Sequence, residues 1–260
     1  MSAAPRLEGL GVVLTRPRAA ADALAEPLRS EGARVFIFPA LAIEDLKLTA
    51  PLERLLADLA RFDLAIFVSA NAVEKALAMV RRIAPWPPRL PVAAIGEATA
   101  QALRGAGFTA VVSPAERHDS DALLALPQLE RSRVEGKSIV VFRGEGGKER
   151  LKEALEARGA QVEYAECYRR VRPDSDAGPL MEAWARGEVH AVSVLSTQTL
   201  ENFVSMIGPE KAAALGALTL VVPHEAIGAA RDAGRFARFV VAGHGAQGLI
   251  EALAGLRVLT

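Results

Sequence analysis

Residues 138–170, SIVVFRGEGGKERLKEALEARGAQVEYAECYRR, have the pattern of one complete β–α unit. The apolar, β-branched run SIVVF is typical of a strand that is buried on both faces. Gly144, Gly146 and Gly147 follow it, and a turn without Cβ atoms lets backbone N–H groups approach a ligand closely. Leucines at helical spacing then lead to Gly159, at the position of a helix C-cap. The stretch therefore predicts a strand, an open turn, a helix and a second extended segment.

This unit is repeated earlier in the chain at a constant offset of 127 residues. The stretch that starts at Gly11, GVVLTRPRAAADALAEPLRSEGARV, aligns without a gap with the stretch that starts at Ser138. The same offset aligns FVSANAV with VLSTQTL and places Ser69 on Ser196. A period this long indicates two equivalent halves and not a solenoid of short repeats.

Strand and helix patterns alternate throughout the chain, which is the signature of parallel α/β sheets. In such sheets, ligands bind beyond the carboxyl ends of the strands, where helix N-termini present free N–H groups and a positive dipole end. The strand-to-helix turns supply the candidate substrate-binding residues, namely Arg16, Ser69, Asn71, Gly96, Thr99, Gly144, Gly146, Gly147, Ser196, Thr197 and His224. Plain N-capping also fits the serines and threonines, and an exposed turn fits His224. One exposed helix N-terminus contributes only about 0.3–1 kcal/mol, so several must act together.

Composition excludes some classes of function. The 31 basic and 31 acidic residues balance, so the basic excess of a nucleic-acid or membrane-surface protein is missing. Aromatic residues make up only 5% of the chain, which predicts aliphatic cores. No apolar run approaches the roughly 18 residues of a membrane-spanning helix, and we expect neither a membrane segment nor a signal peptide.

Cysteine and histidine usage speaks against redox and metal chemistry. Cys167 is the single cysteine, which fits a reducing cytoplasm and a small buried hydrophobe. No pair at metal-ligand spacing occurs among the four histidines, His118, His190, His224 and His244. Glu149 stands where a dinucleotide fingerprint needs its third glycine, so no cofactor is expected.

Seven motifs, in this order and spacing, resemble the uroporphyrinogen-III synthase family along nearly the whole chain. They are LTRP at 14–17, FVSANAV at 67–73, AIGEATAQAL at 94–103, DSDALLAL at 119–126, RGEGGKERL at 143–151, CYRR at 167–170 and LSTQTLENF at 195–203. Two positions depart from the family pattern. Lys148 stands where many relatives carry Arg, and Pro-His-Glu at 223–225 replaces a Ser-His-Arg-like turn.

The resemblance implies an α/β fold of two flavodoxin-like domains with parallel sheets, joined by a two-stranded linker. The first domain would be discontinuous, with residues 1–35 and 172–260, and the second would comprise residues 42–166. Residues 36–41 and 167–171 would be the interdomain linker strands. Together with the repeat, this predicts that the strand at 11–15 lies in the same sheet as the strand at 190–195.

The same resemblance implies an enzyme of tetrapyrrole (haem and sirohaem) biosynthesis, a carbon-oxygen lyase of the hydro-lyase type. It would cyclise the small anionic substrate hydroxymethylbilane with loss of water and inversion of the last pyrrole ring. The implied enzyme needs no cofactor and works as a cytoplasmic monomer, away from nucleic acid and membrane. Tyr168 matches the family's tyrosine proposed to assist departure of the hydroxyl. From its residue type alone, Tyr168 fits packing and a functional hydroxyl equally well.

Two other classes of protein share the predicted architecture. A non-catalytic two-domain α/β small-molecule binding protein also has two crossings and a central cleft, although a periplasmic one would carry a signal peptide. A receiver-like signalling domain needs an acidic pocket at the carboxyl ends of its strands, and Asp63 lies at the opposite end of its strand. Turnover, as opposed to mere binding, distinguishes the enzyme from the binding protein.

Overall fold

The computed structural model describes residues 5–115, 119–243 and 245–257. Within these ranges the chain forms two compact units. The first comprises the chain up to Ala42 together with the chain from Val171 onward, and the second runs from Ile43 to Arg170. No helix in the described ranges is both long and apolar enough to cross a membrane.

The strands and helices alternate as the sequence predicts. The strands are β1 (Gly11–Leu14), β2 (Arg34–Ile37), β3 (Ala42–Asp45), β4 (Leu64–Phe67), β5 (Val92–Ala94), β6 (Val111–Val112), β7 (Ser138–Gly144), β8 (Gln161–Val171), β9 (Ala191–Ser193), β10 (Thr219–Val222) and β11 (Arg238–Val241). The helices are α1 (Arg18–Ser30), α2 (Ala50–Ala57), α3 (Ala70–Val80), α4 (Glu97–Gly105), α5 (Ser120–Leu124), α6 (Arg131–Val134), α7 (Arg150–Ala157), α8 (Gly178–Ala185), α9 (Thr197–Ile207), α10 (Pro209–Ala212), α11 (Glu225–Gly228) and α12 (Gly245–Arg257).

Each unit contains one sheet. The strand order is β11-β10-β9-β1-β2 in the first unit and β3-β8-β7-β4-β5-β6 in the second. All strand pairs of the first sheet are parallel, as are the pairs from β8 to β6 in the second. The predicted α/β class with parallel sheets is therefore confirmed. Pairing of Val12 with Ala191 also confirms that the N-terminal strand lies beside the strand that follows residue 190.

The sequence repeat reappears in the register of the strands. Val12 pairs with Ala191 in the first sheet, and Ile139 pairs with Leu64 in the second, the same register at the 127-residue offset. A hydrogen bond at the start of these strands is repeated too. The Gly11 N–H donates to His190 Nδ1 at 2.8 Å, and the Ser138 N–H donates to Asp63 Oδ2 at 2.9 Å. The two sheets are thus built to one plan from segments of both halves.

Hydrophobic clusters cover both faces of each sheet. In β1, Val12 and Leu14 belong to one cluster of the first unit and Val13 belongs to the other, as expected from the alternation of side chains along a strand. All four residues of β1 are buried, so both faces are covered, which is typical of parallel sheets with helices on each side. This covering leaves the carboxyl ends of the strands as the place for a ligand.

The segments predicted as linker strands overlap strands of the two sheets. Residues 36 and 37 end β2, and Phe38 and Ala40 are buried in the core of the first unit. Asn202 holds this segment, because its Nδ2 donates to the Ala40 carbonyl oxygen at 2.8 Å. Residues 167–171 are the last five of β8.

Two helices have bounds that differ from the sequence predictions. The pattern at 225–233 predicts one helix, but that is wrong, because α11 ends at Gly228 and a 3-10 turn, Arg231–Arg235, follows. Phe239 packs against Gly228, where a Cβ would lie within 2.6 Å of three atoms of the phenyl ring, so α11 ends at a close approach to β11. The helix predicted from His118 begins at Ser120, with Asp119 as its N-cap. His118 and His244 lie outside the described residues.

Candidate functional site

The carboxyl edge of the second sheet brings several predicted residues together. The strands β7, β4 and β5 are neighbours in that sheet; β7 ends at Gly144, and Ser69 and Gly96 follow β4 and β5. Since the strands are parallel, their carboxyl ends lie at one edge. Three of the predicted turns therefore share one face of the second unit.

Ser69 has two roles at this edge. As the N-cap of α3, its Oγ accepts a hydrogen bond from the Ala72 N–H at 3.0 Å. The same Oγ lies 3.0 Å from the hydroxyl oxygen of Tyr168. The capping alternative is thus correct for Ser69, and the cap is also joined to the predicted catalytic tyrosine. Ser196 caps α9 at the equivalent position of the repeat, where its Oγ accepts from the Thr199 N–H at 3.1 Å.

Tyr168 is fully buried in the second unit. Its ring packs against Gly144, where a Cβ would lie 2.7 Å from the ring, so residue 144 has to be glycine. The Tyr168 carbonyl accepts a hydrogen bond from the Glu145 N–H at 2.8 Å, which ties β8 to the glycine turn. Arg170 donates from Nη2 to the hydroxyl oxygen at 3.4 Å. Because Arg170 only donates, the Tyr168 proton remains available to Ser69.

A cavity of about 230 Å³ adjoins this tyrosine. Its polar wall is formed by three cations, two phenols, a serine and two glycines, and its apolar wall by four aliphatic side chains. The residues are Arg143, Lys148, Arg170, Tyr164, Tyr168, Ser120, Gly144, Gly147, Val68, Ile95, Val141 and Leu151. Since none of them carries a carboxylate, the cavity favours an anion.

A larger groove of about 1060 Å³ lies elsewhere on the second unit. Side chains of both charges line it, including Arg54, Glu145, Glu163, Glu166 and Arg169. Because the charges of both signs neutralise one another, this groove has no preference for an anionic ligand. We therefore place the candidate site at the smaller cavity.

Arg143 holds the glycine turn in place. Its side chain is only 4% exposed, and its Nη1 donates to Glu149 Oε1 at 2.9 Å while Nε donates to the Gly144 carbonyl oxygen at 3.2 Å. The guanidinium carbon also lies 4.1 Å from the centroid of the Tyr164 ring, within the range of a cation–π interaction. A Cβ on Gly147 would lie 2.5 Å from Nη2, so this glycine is needed for the turn to close over the arginine.

The groups around Arg143 have fixed charge states near neutral pH. Hydrogen bonding from Arg143 holds the pKa of the Glu149 carboxyl below its usual range, so Glu149 stays ionised. Burial raises the pKa of Tyr164 to about 12, so its phenol stays neutral. The Arg143 charge is thus matched by Glu149 within the second unit.

The other predicted residues of the second unit lie at the same edge. Asn71 is the second residue of α3, Gly96 is the N-cap of α4, and Gly146 adopts a positive φ of 68° in an exposed part of the glycine turn. Thr99 is only 4% exposed within α4, so its side chain is part of the core. Its N–H is also occupied, because it donates to the Gly96 carbonyl oxygen at 3.1 Å.

In the first unit, the predicted residues follow neighbouring strands of the other sheet. Arg16 follows β1, Ser196 and Thr197 follow β9, and His224 follows β10. Arg16 Nε is buried and has no hydrogen-bond partner among the described residues, and burial lowers the pKa of its guanidinium. His224 is the exposed N-cap residue of α11, where no side-chain capping bond forms. An anion at this edge would give Arg16 a partner.

Sequence reasoning missed the cations of the cavity. Arg143 and Arg170 stand inside the motifs RGEGGKERL and CYRR, yet the alternation of strand residues gives no sign that both side chains border one cavity. Lys148 was noted only because it stands where many relatives carry Arg, and no role was predicted for it. The available signal was the clustering of basic residues next to the carboxyl end of β7 and around Tyr168.

The chain is similar to known proteins in both sequence and fold. The model of the family described as uroporphyrinogen-III synthase HemD matches residues 22–251. Uroporphyrinogen-III synthase of Escherichia coli is 33% identical over 76% of this chain and 80% of its own length, and that of Salmonella typhimurium is 34% identical over the same shares. A mutant uroporphyrinogen III synthase from Thermus thermophilus shares the fold, with a TM-score of 0.62, 19% identity and coverage of 96% of this chain and 98% of that one. From the match to the family model and these relatives, the chain belongs to the uroporphyrinogen-III synthase family.

Proposed function

We propose that this protein cyclises hydroxymethylbilane to uroporphyrinogen III, with loss of water and inversion of the last pyrrole ring. Membership of the family supports the proposal. The observation that carries it is the Tyr168 hydroxyl, which lies 3.0 Å from Ser69 Oγ beside a cavity whose lining contains cations and no carboxylate. A leaving hydroxide needs a proton donor, and the carboxylate arms of the substrate need positive charge and free N–H groups.

The protein's main task in this reaction is to hold the substrate in the cyclising geometry, a proximity effect. The C–O bond of the hydroxymethyl group breaks with its electron pair leaving on oxygen, and a hydrogen bond from Tyr168 assists that departure. The azafulvene cation that remains forms a C–C bond to the substituted α-carbon of the last ring. The bond from that carbon to its original bridging methylene then breaks, and the methylene bonds to the free α-carbon of the same ring, which loses a proton, so the ring ends inverted. These steps need only positioning and one hydrogen-bond donor.

The carboxylate arms would bind at the strand-to-helix turns of both sheets. In the second unit these are residues 69–71, 96–99 and 144–147, and in the first unit Arg16, residues 196–197 and His224. Arg16 has a buried Nε without a partner among the described residues, so a substrate carboxylate would satisfy it. No single contact decides the affinity, because each exposed helix N-terminus contributes only about 0.3–1 kcal/mol.

The proposal extends to the reaction class, the oligomeric state, the cellular location and the domain bounds of the protein. We propose a carbon-oxygen lyase that acts as a monomer in the cytoplasm. We also propose that residues 1–35 with 172–260 and residues 42–166 are its two domains, and that residues 36–41 and 167–171 are the linker strands between them. The compact units divide after Ala42 and after Arg170, close to these boundaries.

A coupled assay tests the proposed function. Freshly made hydroxymethylbilane is incubated with the protein, and the type I and type III products are separated after oxidation. We expect the type III product to predominate. The spontaneous reaction closes the ring without inversion, so any excess of the type III product measures the activity of the protein. A protein that binds the substrate and leaves only the spontaneous type I product would support the small-molecule binding alternative.

Substitution of the two capping serines is expected to separate capping from catalysis. Ser69→Ala and Ser196→Ala remove the same cap at equivalent positions of the repeat, and each should lower the free energy of unfolding by about 1 kcal/mol. Both should keep turnover within about tenfold of wild type, since a hydrogen bond contributes only about 1 kcal/mol. Ser69→Ala should have the larger effect, because only Ser69 contacts Tyr168.

Urea unfolding and steady-state kinetics check this pair. Equal losses of stability with a larger loss of kcat for Ser69→Ala are the expected result. Abolished activity in a folded Ser69→Ala protein would instead make this serine a dedicated catalytic group.

A further inference from the structure

Two of the three cations that line the 230 Å³ cavity lack a counter-ion among the described residues. Arg143 is paired with Glu149 at 2.9 Å and lies 3.8 Å from Glu166. Lys148 forms no ion pair within the described ranges, and the side-chain hydrogen bond and cation–π contact of Arg170 there both go to Tyr168. Two positive charges without counter-ions beside a partly enclosed space would be neutralised by a bound anion.

The walls of the cavity fit an anion with a short aliphatic stem. Val68, Ile95 and Leu151 offer apolar contact, while Ser120 and the backbone of the glycine turn offer polar contact. The volume is below the roughly 300–1,000 Å³ that is usual for the pocket of a whole small-molecule ligand. The cavity is therefore suited to one arm of a larger molecule and not to a complete tetrapyrrole.

We infer that this cavity is the seat of one carboxylate arm of the substrate, and that Lys148 and Arg170 bind the carboxylate. The inference rests on the proposed function and adds to it a side-chain anion site that the backbone turns alone do not provide. Lys148 provides the cleaner test of the two, because Arg170 also contacts the Tyr168 hydroxyl and so affects the chemical step.

Replacing Lys148 by glutamine tests the inference. The residue is exposed in a turn, so the fold is expected to survive, which thermal unfolding checks. We expect the KM for hydroxymethylbilane to rise about tenfold and kcat to stay within about twofold, because an interaction made equally in the ground and transition states affects KM. The KM of wild type should rise with salt more steeply than that of the variant, since exposed charges are screened.

Two further variants serve as controls. Lys148→Arg keeps the charge and should keep the wild-type KM. Lys152→Gln removes one positive charge from the first turn of α7, where Lys152 pairs with Glu156 at 3.8 Å and does not line the cavity. Its KM should stay within about twofold of wild type.

The outcomes separate this inference from the proposed function. A wild-type protein that produces no type III isomer overturns the function itself. If wild type is active, an unchanged KM in Lys148→Gln, or an equal rise in Lys152→Gln, overturns the carboxylate seat and leaves the function standing. A rise confined to Lys148→Gln, with rescue by arginine, supports it.

Discussion

Replacing Tyr168 by phenylalanine is expected to lower kcat about a hundredfold while the fold and the dominance of the type III product are retained. A positioned proton donor contributes typically about 10²–10⁴ in rate, and the low end applies here because the substrate ionises without help. The ring itself should stay in place, since it is fully buried among the core residues of the second unit and packs against Gly144. Only the hydroxyl, with its bonds to Ser69 and Arg170, is lost.

The chain offers a matched control, because Tyr164 is its only other tyrosine. Tyr164 lies on the same strand and also borders the cavity, but its hydroxyl forms no bond to Ser69. Tyr164→Phe is therefore expected to keep kcat within about threefold of wild type. Steady-state rates with fresh hydroxymethylbilane, together with separation of the two product isomers, give both quantities.

The product ratio distinguishes two roles for Tyr168. Ring inversion depends on how the substrate is folded, whereas the hydroxyl only hastens loss of hydroxide, so a slow variant should still form mainly the type III isomer. Wild-type kcat in Tyr168→Phe would exclude the proton-donor role. A switch to the type I isomer would mean that Tyr168 sets the geometry of cyclisation instead.

The repeat made the pairing of the strands predictable from the sequence. Once Gly11 is aligned with Ser138, the pairing of β1 with β9 follows from the pairing of β7 with β4, because buried strands with the same apolar pattern occupy equivalent places. The strand-to-helix turns were predictable for the same reason, since their positions follow from the ends of the strands.

The position of Tyr168 was not predictable from alternation. Counting along β8 from Val162 places residues 164, 166 and 168 on one face, yet Tyr168 packs in the cluster of Ala165 and Cys167 on the other face. The cause is a break in register, in which Arg143 pairs with Glu166 but Gly144 pairs with Tyr168. The extra residue of such a bulge turns the following side chain to the opposite face.

The cations of the cavity depend on the same irregularity. Arg143, Lys148 and Arg170 come from a strand, a turn and the residues after the bulge, and no local pattern states that they border one space. Sequence reasoning located the edge of the sheet and the tyrosine. Only the three-dimensional arrangement shows that the charges of the proposed anion site border one cavity.

Replacing Gly11 by alanine is expected to destabilise the protein by about 3 kcal/mol or more, the upper end of the usual range for overpacking. A Cβ at this position would lie 2.8 Å from the carbonyl carbon of Glu188 and closer still to its oxygen. These are backbone atoms, so no side-chain rotation relieves the overlap. Glu188 is fixed in turn, because its N–H donates to the Ala183 carbonyl oxygen at 3.0 Å. The first sheet must therefore open where β1 meets the turn before β9, and the Gly11 N–H bond to His190 is lost.

Gly255→Ala provides the matched control for this substitution, measured in the same urea unfolding experiment. Gly255 is exposed within α12, and a Cβ there would meet no atom within 4 Å. Alanine favours a helix over glycine by about 0.8–1.0 kcal/mol, so Gly255→Ala should raise the free energy of unfolding. The repeat adds a comparison, because Ser138 holds the equivalent position in the second sheet and carries a Cβ. A Gly11→Ala protein as stable as wild type would mean that β1 and the segment before β9 are not packed as closely as described, because only a wider spacing accommodates the methyl group.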